Sequence, residues 1–127
     1  MITILGQVPS KSNGYKIGNN RLYKSQELKH YEDVFYSELL SQRYLLSETI
    51  KEKFSIEIHV YFQSNRSDLD NAAKIILDCL QTCGVIKNDR LCHELKMKKF
   101  VDKENPRIEF EIREIGKIVN LNTSRYL

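Results

Sequence analysis

The segment FSIEIHVYFQSNRSDLDNAAKIILDCLQTC, residues 54–83, contains the two clearest periodicities in the chain. Its first part, Phe54 to Phe62, alternates large apolar residues with Ser, Glu, His and Tyr, which predicts a β-strand with one face towards a core. Its last part, Asn71 to Cys83, spaces Ala, Ile, Cys and Leu at helical intervals, and Gly84 follows at a position that commonly ends a helix. A strand that leads through a polar turn into an amphipathic helix is therefore the predicted centre of the fold.

The preceding sequence predicts a further strand, a loop and a long helix. Met1 to about Val8 is short, apolar and β-branched, which is typical of a strand. Pro9 to Lys24 contains Gly and Asn at turn positions and is predicted to be an irregular loop. Its basic residues interleave with Tyr15 and Tyr23, which suits a loop that contacts nucleic acid as well as a plain surface loop. Ser25 is suited to cap a helix that runs to about Leu46 with apolar residues on one face.

The following sequence predicts two more strands. Residues 91–101 form the first, with a basic face, and Arg107 to Arg113 alternates as the second. The link from Asp102 to Pro106 has the length of a hairpin loop. The order β-α-β-α-β-β predicts a small single α+β domain, residues 1–127, on a mixed sheet with two helices. Residues 116–127 have no strong pattern and are expected to be a loose tail or an interface arm.

Charge is unevenly distributed along the 127 residues, although the net charge is only +3. Residues 1–26 contain four basic residues and no acid, and residues 84–103 contain six basic residues and three acids. Residues 27–57 contain seven acids and four basic residues. This asymmetry suggests a basic face opposite an acidic helical flank, although solvated surface charge explains the same composition equally well.

The cysteines and the hydropathy indicate a compartment. Cys79, Cys83 and Cys92 are expected to be free thiols, and Cys92-His93 alone does not provide the ligands of a zinc site. No signal peptide and no membrane-spanning apolar run are expected. A cytoplasmic, reducing location is therefore predicted.

Three acids and one lysine are the candidate chemical groups. Asp68 and Asp70 lie two residues apart at the start of the predicted helix, Lys74 follows one helical turn later, and Asp89 lies in the loop after the helix. Mg²⁺ and Mn²⁺ are bound by carboxylate oxygens, and a divalent ion can activate water for phosphodiester hydrolysis. A lysine beside such a site can stabilise the charge that develops on the phosphate. These residues therefore predict a metal-dependent phosphodiester site.

Each acid also has a structural interpretation. Asp70 is suited to cap the helix, Asp68 to a turn and Asp89 to a solvated loop. A calcium-binding loop that begins at Asp68 is excluded, because its sixth and twelfth positions hold Ala73 and Cys79 rather than Gly and Glu.

The helix separates Asp89 from the other two acids. A helix from Asn71 to Cys83 is about 20 Å long at ~1.5 Å per residue. The chain from Gly84 to Asp89 spans at most about 17 Å. Asp89 therefore reaches the other acids only if the loop folds straight back, or it meets them across a dimer interface.

The motif Arg66-Ser-Asp68-Leu-Asp70-Asn71-x-x-Lys74, followed by Gly84 and Asp89, resembles the RusA-type Holliday junction resolvases of bacteria and their phages. The resemblance extends over roughly residues 5–113. It implies a homodimer that binds four-way DNA junctions and nicks two opposing strands with Mg²⁺ or Mn²⁺. By similarity, Asp68, Asp70 and Asp89 match the catalytic metal-binding acids of the family, and Lys74 matches its essential lysine.

The resemblance also implies neighbouring groups and one departure. Asn88-Asp89 stands where the family often has two consecutive acids. Glu94 falls where the family can have another acid, and Glu94 and Asn71 are expected beside the metal ligands.

The predicted function is that of a homodimeric Holliday junction resolvase with a basic DNA-binding face. The alternatives are a branched-DNA-binding protein that does not cut and a less selective metal-dependent nuclease. The expected phosphate contacts are Lys11, Lys16, Arg21, Lys24, Arg66, Lys87, Lys96, Lys98 and Lys99.

Overall fold

The computed structural model describes residues 1–116, without the side chains of Lys11 and Ser12. Within these residues the strands are β1 (Ile2–Leu5), β2 (Tyr15–Gly18), β3 (Arg21–Lys24), β4 (Phe54–Phe62), β5 (Cys92–Val101) and β6 (Arg107–Glu114). The helices are the single turn α1 (Lys11–Gly14) and the longer α2 (Gln26–Ser41) and α3 (Leu69–Thr82), with 3₁₀ turns at Arg43–Leu45 and Asp89–Leu91. The predicted α+β class with two main helices is confirmed. The predicted tail lies, apart from Gly116, outside the described residues.

The main sheet has the order β1-β6-β4-β5. Strand β4 pairs with β5 in parallel and with β6 in antiparallel orientation, so the sheet is mixed as predicted. The predicted strand Phe54 to Phe62 is confirmed in its full length.

The last two strands do not form a hairpin with each other, although the link between them has hairpin length. The chain crosses the end of β4, where the backbone N–H of Asp102 donates to the carbonyl oxygen of Phe62 across 2.8 Å. Ile108 and Phe110 of β6 are fully buried, whereas most of β5 is exposed. The apolar strand therefore lies in the interior of the sheet. The charged strand lies at its edge, where backbone groups stay unpaired and charged side chains are common.

One face of the sheet is packed against α2 and α3. The alternate residues Phe54, Ile56, Ile58, Val60 and Phe62 of β4 are at most 3% exposed and form one core with both helices. The opposite face carries the polar residues of β4 together with those of β5 and β6 that lie beside them, and we call it the open face.

Helix α2 has the predicted buried stripe, but it ends earlier than predicted. Ser25 caps its start through a hydrogen bond from the Leu28 N–H, as expected. At its other end the Gln42 side chain accepts from the N–H and donates to the carbonyl oxygen of Thr3. This contact joins the end of α2 to β1, and the chain then leaves the helix axis in the 3₁₀ turn before Leu46.

The predicted irregular loop from Pro9 to Lys24 is wrong in its second half, because β2 and β3 form an antiparallel hairpin there. Asn19 and Asn20 form its two-residue connection, with φ angles of 53° and 60°. Two positive φ angles in a two-residue loop match the twist of the flanking strands, and Asn tolerates them better than most residues. The strands were missed because each has only four residues and most of their side chains are exposed.

Candidate active site

Helix α3 presents Asp68 and Asp70 at its first turn. Asp68 occupies the N-cap position with extended backbone, and its side chain does not bond to the helix as a cap. Asp70 lies inside the first turn, so the expectation that Asp70 caps the helix is wrong. Both side chains are exposed at the end of the helix where the macrodipole favours negative charge.

A cleft of about 690 Å³ lies between the start of α3 and the β2–β3 hairpin. Its walls are formed by Ser10, Tyr15, Ile17, Leu22, Asp68, Asp70, Asn71 and Lys74. Two of the three predicted metal-binding acids, the predicted lysine and the predicted neighbouring asparagine therefore share one cavity.

Two contacts position the polar side chains of this cleft. The Asn71 amide donates to the carbonyl oxygen of Pro9 across 3.0 Å, which fixes the N-terminal segment against α3. The Lys74 ammonium lies 5.7 Å from the centroid of the Tyr15 ring, within the range of a cation–π contact. Lys74 is thereby held over the cleft one turn from Asp70.

Asp89 lies further along α3, not at its start. Its backbone N–H donates to the side-chain oxygen of Gln81 across 2.9 Å, and the 3₁₀ turn that it begins is capped by Asn88. Burial, reinforced by the charge of Asp89, raises the pKa of Asp78. Asp78 follows Asp70 by eight residues, which is about 12 Å along the helix at ~1.5 Å per residue. The hydrogen bond to Gln81 therefore holds the backbone of Asp89 near the C-terminal end of α3.

The three predicted metal-binding acids are consequently divided between two places. Across residues 1–116, no group of three Asp, Glu, His or Cys side chains is close enough to hold a metal ion. Asp68 and Asp70 are two exposed carboxylates at the start of α3, and the backbone of Asp89 is hydrogen-bonded to Gln81 near the end of that helix. The carboxylate oxygens of Asp68 and Asp70 fit Mg²⁺ or Mn²⁺, since Mg²⁺ is usually bound by one or two carboxylates together with water and substrate phosphate.

Comparison with known proteins identifies the family. The profile described as "Endodeoxyribonuclease RusA" matches residues 6–113, most of the chain. The chain belongs to the RusA endodeoxyribonuclease family. It is also 29% identical over 105 residues to "Crossover junction endodeoxyribonuclease RusA" of Aquifex aeolicus (strain VF5), a match that covers 81% of this chain and 82% of that protein.

In this RusA family member, the expected phosphate contacts lie in several different places. Lys16 and Arg21 are exposed on the hairpin, Arg66 is exposed in the loop before Asp68, and Lys87 is exposed before Asn88. Lys11 belongs to α1, but its side chain is outside the described part of the structure.

Two of the expected phosphate contacts are engaged within the protein. Lys24 forms an ion pair with Glu32 of α2 at 2.6 Å, and this hydrogen bond raises the pKa of Lys24. Lys99 donates to the backbone carbonyl oxygens of Asn65 and Ser67 at 2.9 and 2.6 Å. Lys99 therefore braces the loop that leads into Asp68, a role that its position in a basic strand did not indicate.

Three predicted residues lie on the open face of the sheet, away from the cleft. Lys96 is the register partner of Glu57, Lys98 of His59 and Glu94 of Ser55, and these residues of β4 face away from the core. Because α3 covers the other face, the structure does not bring Lys96, Lys98 or Glu94 to Asp68 and Asp70 of the same protomer.

Ile17 and Leu22 line the cleft but were not predicted as site residues, and Tyr15, which also lines it, was expected only in a loop suited to contact nucleic acid. Burial, together with the charge of Asp78, raises the pKa of Tyr15. These residues belong to the β2–β3 hairpin. Its sequence signal is that Lys16 and Tyr23 alternate with apolar residues on the two sides of Asn19-Asn20.

The cysteines provide no ligands to this site. All three are free, and burial raises the pKa of Cys79 to about 12, which keeps it a neutral thiol in the core.

Among residues 1–116, none of the helices combines the length and apolar character needed to span a bilayer.

Proposed function

We propose that this chain is a homodimeric, Mg²⁺-dependent endonuclease that resolves four-way DNA junctions by nicking opposite strands. The observation that carries the proposal is the shared cleft of Asp68, Asp70 and Lys74 beside a basic hairpin, in a chain of the RusA family. The relative from Aquifex aeolicus is named for crossover junctions, which supports a branched substrate.

Asp68 and Asp70 would hold the metal ion, and Asp89 would complete its protein ligands. Both carboxylates of the cleft are exposed and neither forms an ion pair with a described side chain at 4.0 Å or less. A divalent ion bound there would activate a water molecule and neutralise charge on the scissile phosphate.

Lys74 acts on the phosphate itself. Its ammonium lies over the Tyr15 ring one helical turn from Asp70, where it can donate to a phosphate oxygen in the cleft. The positive charge then stabilises the charge that develops on the phosphate in the transition state.

The basic side chains near the cleft would track the DNA backbone. Lys16, Arg21 and Arg66 are exposed on the hairpin and on the loop before α3, which are the two sides from which DNA would approach Asp68 and Asp70. Lys96 and Lys98 lie on the open face and would contact a different arm of the junction. Such contacts release counterions, so binding should weaken steeply as salt increases.

Strand β5 offers a surface for dimerisation. It forms the edge of the sheet, and its residues Leu95 and Val101 are 45% and 54% exposed although they are apolar. A two-fold dimer would provide two clefts for two opposing strands.

We also propose a cytoplasmic location, because a DNA substrate and three free cysteines suit a reducing compartment.

Cleavage of a synthetic four-way junction in Mg²⁺ tests the proposal. Wild type should cut symmetrically, and Asp70→Asn should bind the junction but cut at least about 100-fold more slowly. Asp33→Asn, an exposed acid on α2, is the matched control and should cut normally. Binding without cutting by wild type would favour the non-cutting DNA-binding protein, and equal cutting of linear duplex would favour a general nuclease.

Mixed dimers reveal how Asp89 joins the site. Asp70→Asn and Asp89→Asn are each prepared as inactive proteins and are then mixed and allowed to exchange protomers. If the partner supplies Asp89, one intact site forms in each mixed dimer and cutting of one strand returns. If Asp89 serves its own protomer through movement of the loop, both sites in the mixed dimer remain defective.

A further inference from the structure

The tip of the β2–β3 hairpin carries an exposed aliphatic pair. Ile17 and Leu22 are directly opposite each other, one pair below the closing pair Gly18–Arg21. Their exposed fractions are 80% and 66%. Single exposed apolar residues are common on protein surfaces. Two apolar residues that face each other across a hairpin form a continuous apolar surface, which is exposed to solvent in the protomer.

The position and charge of this hairpin indicate what the pair contacts. Ile17 and Leu22 line the same cleft as Asp68 and Asp70. The neighbouring residues Lys16 and Arg21 are basic and exposed, and no acid occurs in residues 1–26. A partner that satisfies both features presents negative charge to the basic residues and a flat apolar group to the aliphatic pair. Nucleic acid presents both, as phosphates and as unstacked bases.

The hairpin is fixed at its base, so that its tip is already positioned. The Ser25 N–H donates to the carbonyl oxygen of Gly14 across 2.8 Å, and the Ser25 hydroxyl donates to that of Asn13. The ion pair of Lys24 with Glu32 joins β3 to α2. A structure held in its binding conformation loses little entropy when it engages a ligand.

The tip itself is reinforced by an aromatic ring. The Tyr23 ring packs across Gly18, where a Cβ atom would lie only 2.9 Å from it. A glycine at this position lets the ring cover the backbone on the face opposite the aliphatic pair. The two faces of the hairpin therefore differ, with Tyr23 and Lys16 on one and Ile17 and Leu22 on the other.

We propose that the Ile17–Leu22 pair is a wedge that inserts at the branch point of the DNA junction and unstacks the base pair beside the scissile phosphate. The inference rests on the proposed function. Aliphatic side chains that insert between base steps do so at the free-energy cost of unstacking the bases. The cost is lowest where pairing is already weakened, as at a branch. Lys16 and Arg21 hold the flanking phosphates, and the separated strand then follows the cleft to Asp68 and Asp70.

Fluorescence of 2-aminopurine at the branch tests the wedge directly. Wild type bound in Ca²⁺, as a substitute ion to slow cutting, should increase the fluorescence of a fully paired junction as the base is unstacked. The double variant Ile17→Ser/Leu22→Ser should bind within about threefold of wild type and give no increase, because phosphate contacts supply most of the affinity. Ile17→Val should retain the increase. Leu40→Ser, an exposed leucine of α2, is the matched control and should behave as wild type.

Cutting in Mg²⁺ provides the second measurement. The double variant should cut the fully paired junction at least tenfold more slowly than wild type, and unpaired nucleotides at the centre of the junction should restore its rate. Equal fluorescence and equal cutting by wild type and double variant would overturn the wedge alone. If light scattering shows that the double variant is no longer a dimer, and the unpaired junction does not restore its cutting rate, the pair is a contact between protomers. That result would also overturn the wedge. Wild type that cuts no junction would instead overturn the proposed function.

Discussion

The side-chain amide of Asn71 donates a hydrogen bond to the carbonyl oxygen of Pro9, joining the first turn of α3 to a segment 62 positions earlier in the chain. Pro9 is buried, and Asn71 lines the cleft beside Asp70. The bond therefore fixes the wall of the cleft from which Ser10 and the hairpin follow. An asparagine expected beside the metal ligands thus also has a defined structural contact.

Asn71→Ala should lower the free energy of unfolding by about 1 kcal/mol, because the Pro9 carbonyl loses its donor. Junction binding should be preserved and the cutting rate should decrease, since the wall of the cleft is no longer fixed. Urea denaturation and single-turnover cleavage measure the two effects. Asn105→Ala, at an exposed position, serves as the control. If Asn71→Ala is as stable as wild type, the hydrogen bond to Pro9 does not stabilise the fold.

Lys74→Ala should bind the junction as wild type does and cut about 100-fold more slowly, as expected when one stabilising donor is removed from a reacting phosphate. Tyr15→Phe should leave turnover nearly unchanged, because the phenyl ring retains the cation–π contact. Single-turnover rates with separately measured affinities distinguish binding from chemistry. Normal turnover in Lys74→Ala would remove this lysine from the mechanism.

Lys99→Met should destabilise the protein by about 1 kcal/mol, through loss of the hydrogen bonds to Asn65 and Ser67. Cutting should decrease with it, because the loop before Asp68 loses its support. If Lys99 contacted a phosphate, Lys99→Met would instead reduce the slope of log affinity against log salt concentration by about one. Lys103→Met, an exposed lysine in the link after β5, is the control for the loss of one charge, and a reduced slope confined to Lys99→Met would return Lys99 to the DNA interface.

Ser25→Ala should cost about 2 kcal/mol of stability, at the upper end of the range for the loss of a helix cap. The Ser25 hydroxyl accepts from the Leu28 N–H and also donates to the Asn13 carbonyl oxygen at the base of the hairpin. The substitution therefore removes the cap of α2 and loosens the hairpin together. Thermal unfolding compared with Ser37→Ala, an exposed serine within α2, measures the difference. A loss no greater than that of Ser37→Ala would contradict both contacts.

Asp78→Asn should stabilise the protein at neutral pH. Burial, with the charge of Asp89, raises the pKa of Asp78 in the folded chain, so ionised Asp78 opposes folding. This penalty is absent below the pKa of the unfolded chain and is complete above the pKa of the folded chain. The variant and wild type should consequently converge in acid and separate as the pH rises. Urea midpoints across that range provide the measurement, and a constant difference would exclude the titration of Asp78 as its cause.

Several features of the site could be predicted from the sequence because they depend on neighbours in the chain. Asp68, Asp70, Asn71 and Lys74 lie within two turns of one helix, so their spacing alone placed them together. Asp89 was harder, because its position depends on how far the loop folds back, and the chain length allowed more than one answer. Lys99 illustrates the opposite limit, since nothing near it in the sequence indicates that its ammonium reaches Asn65 and Ser67.

The sequence by itself determined β4, α2 and α3, because apolar residues at periods of two and 3.6 allow only one face of each element to be buried. It also determined the family, through a motif that lies in one helix and in the loops on either side of it. Only the tertiary structure decided that β6 rather than β5 lies between β1 and β4, that a hairpin forms one wall of the cleft, and that Asp89 is bonded to Gln81 near the end of α3. The physical reason is that these arrangements arise from contacts between residues far apart in the chain, which leave no periodicity in the sequence.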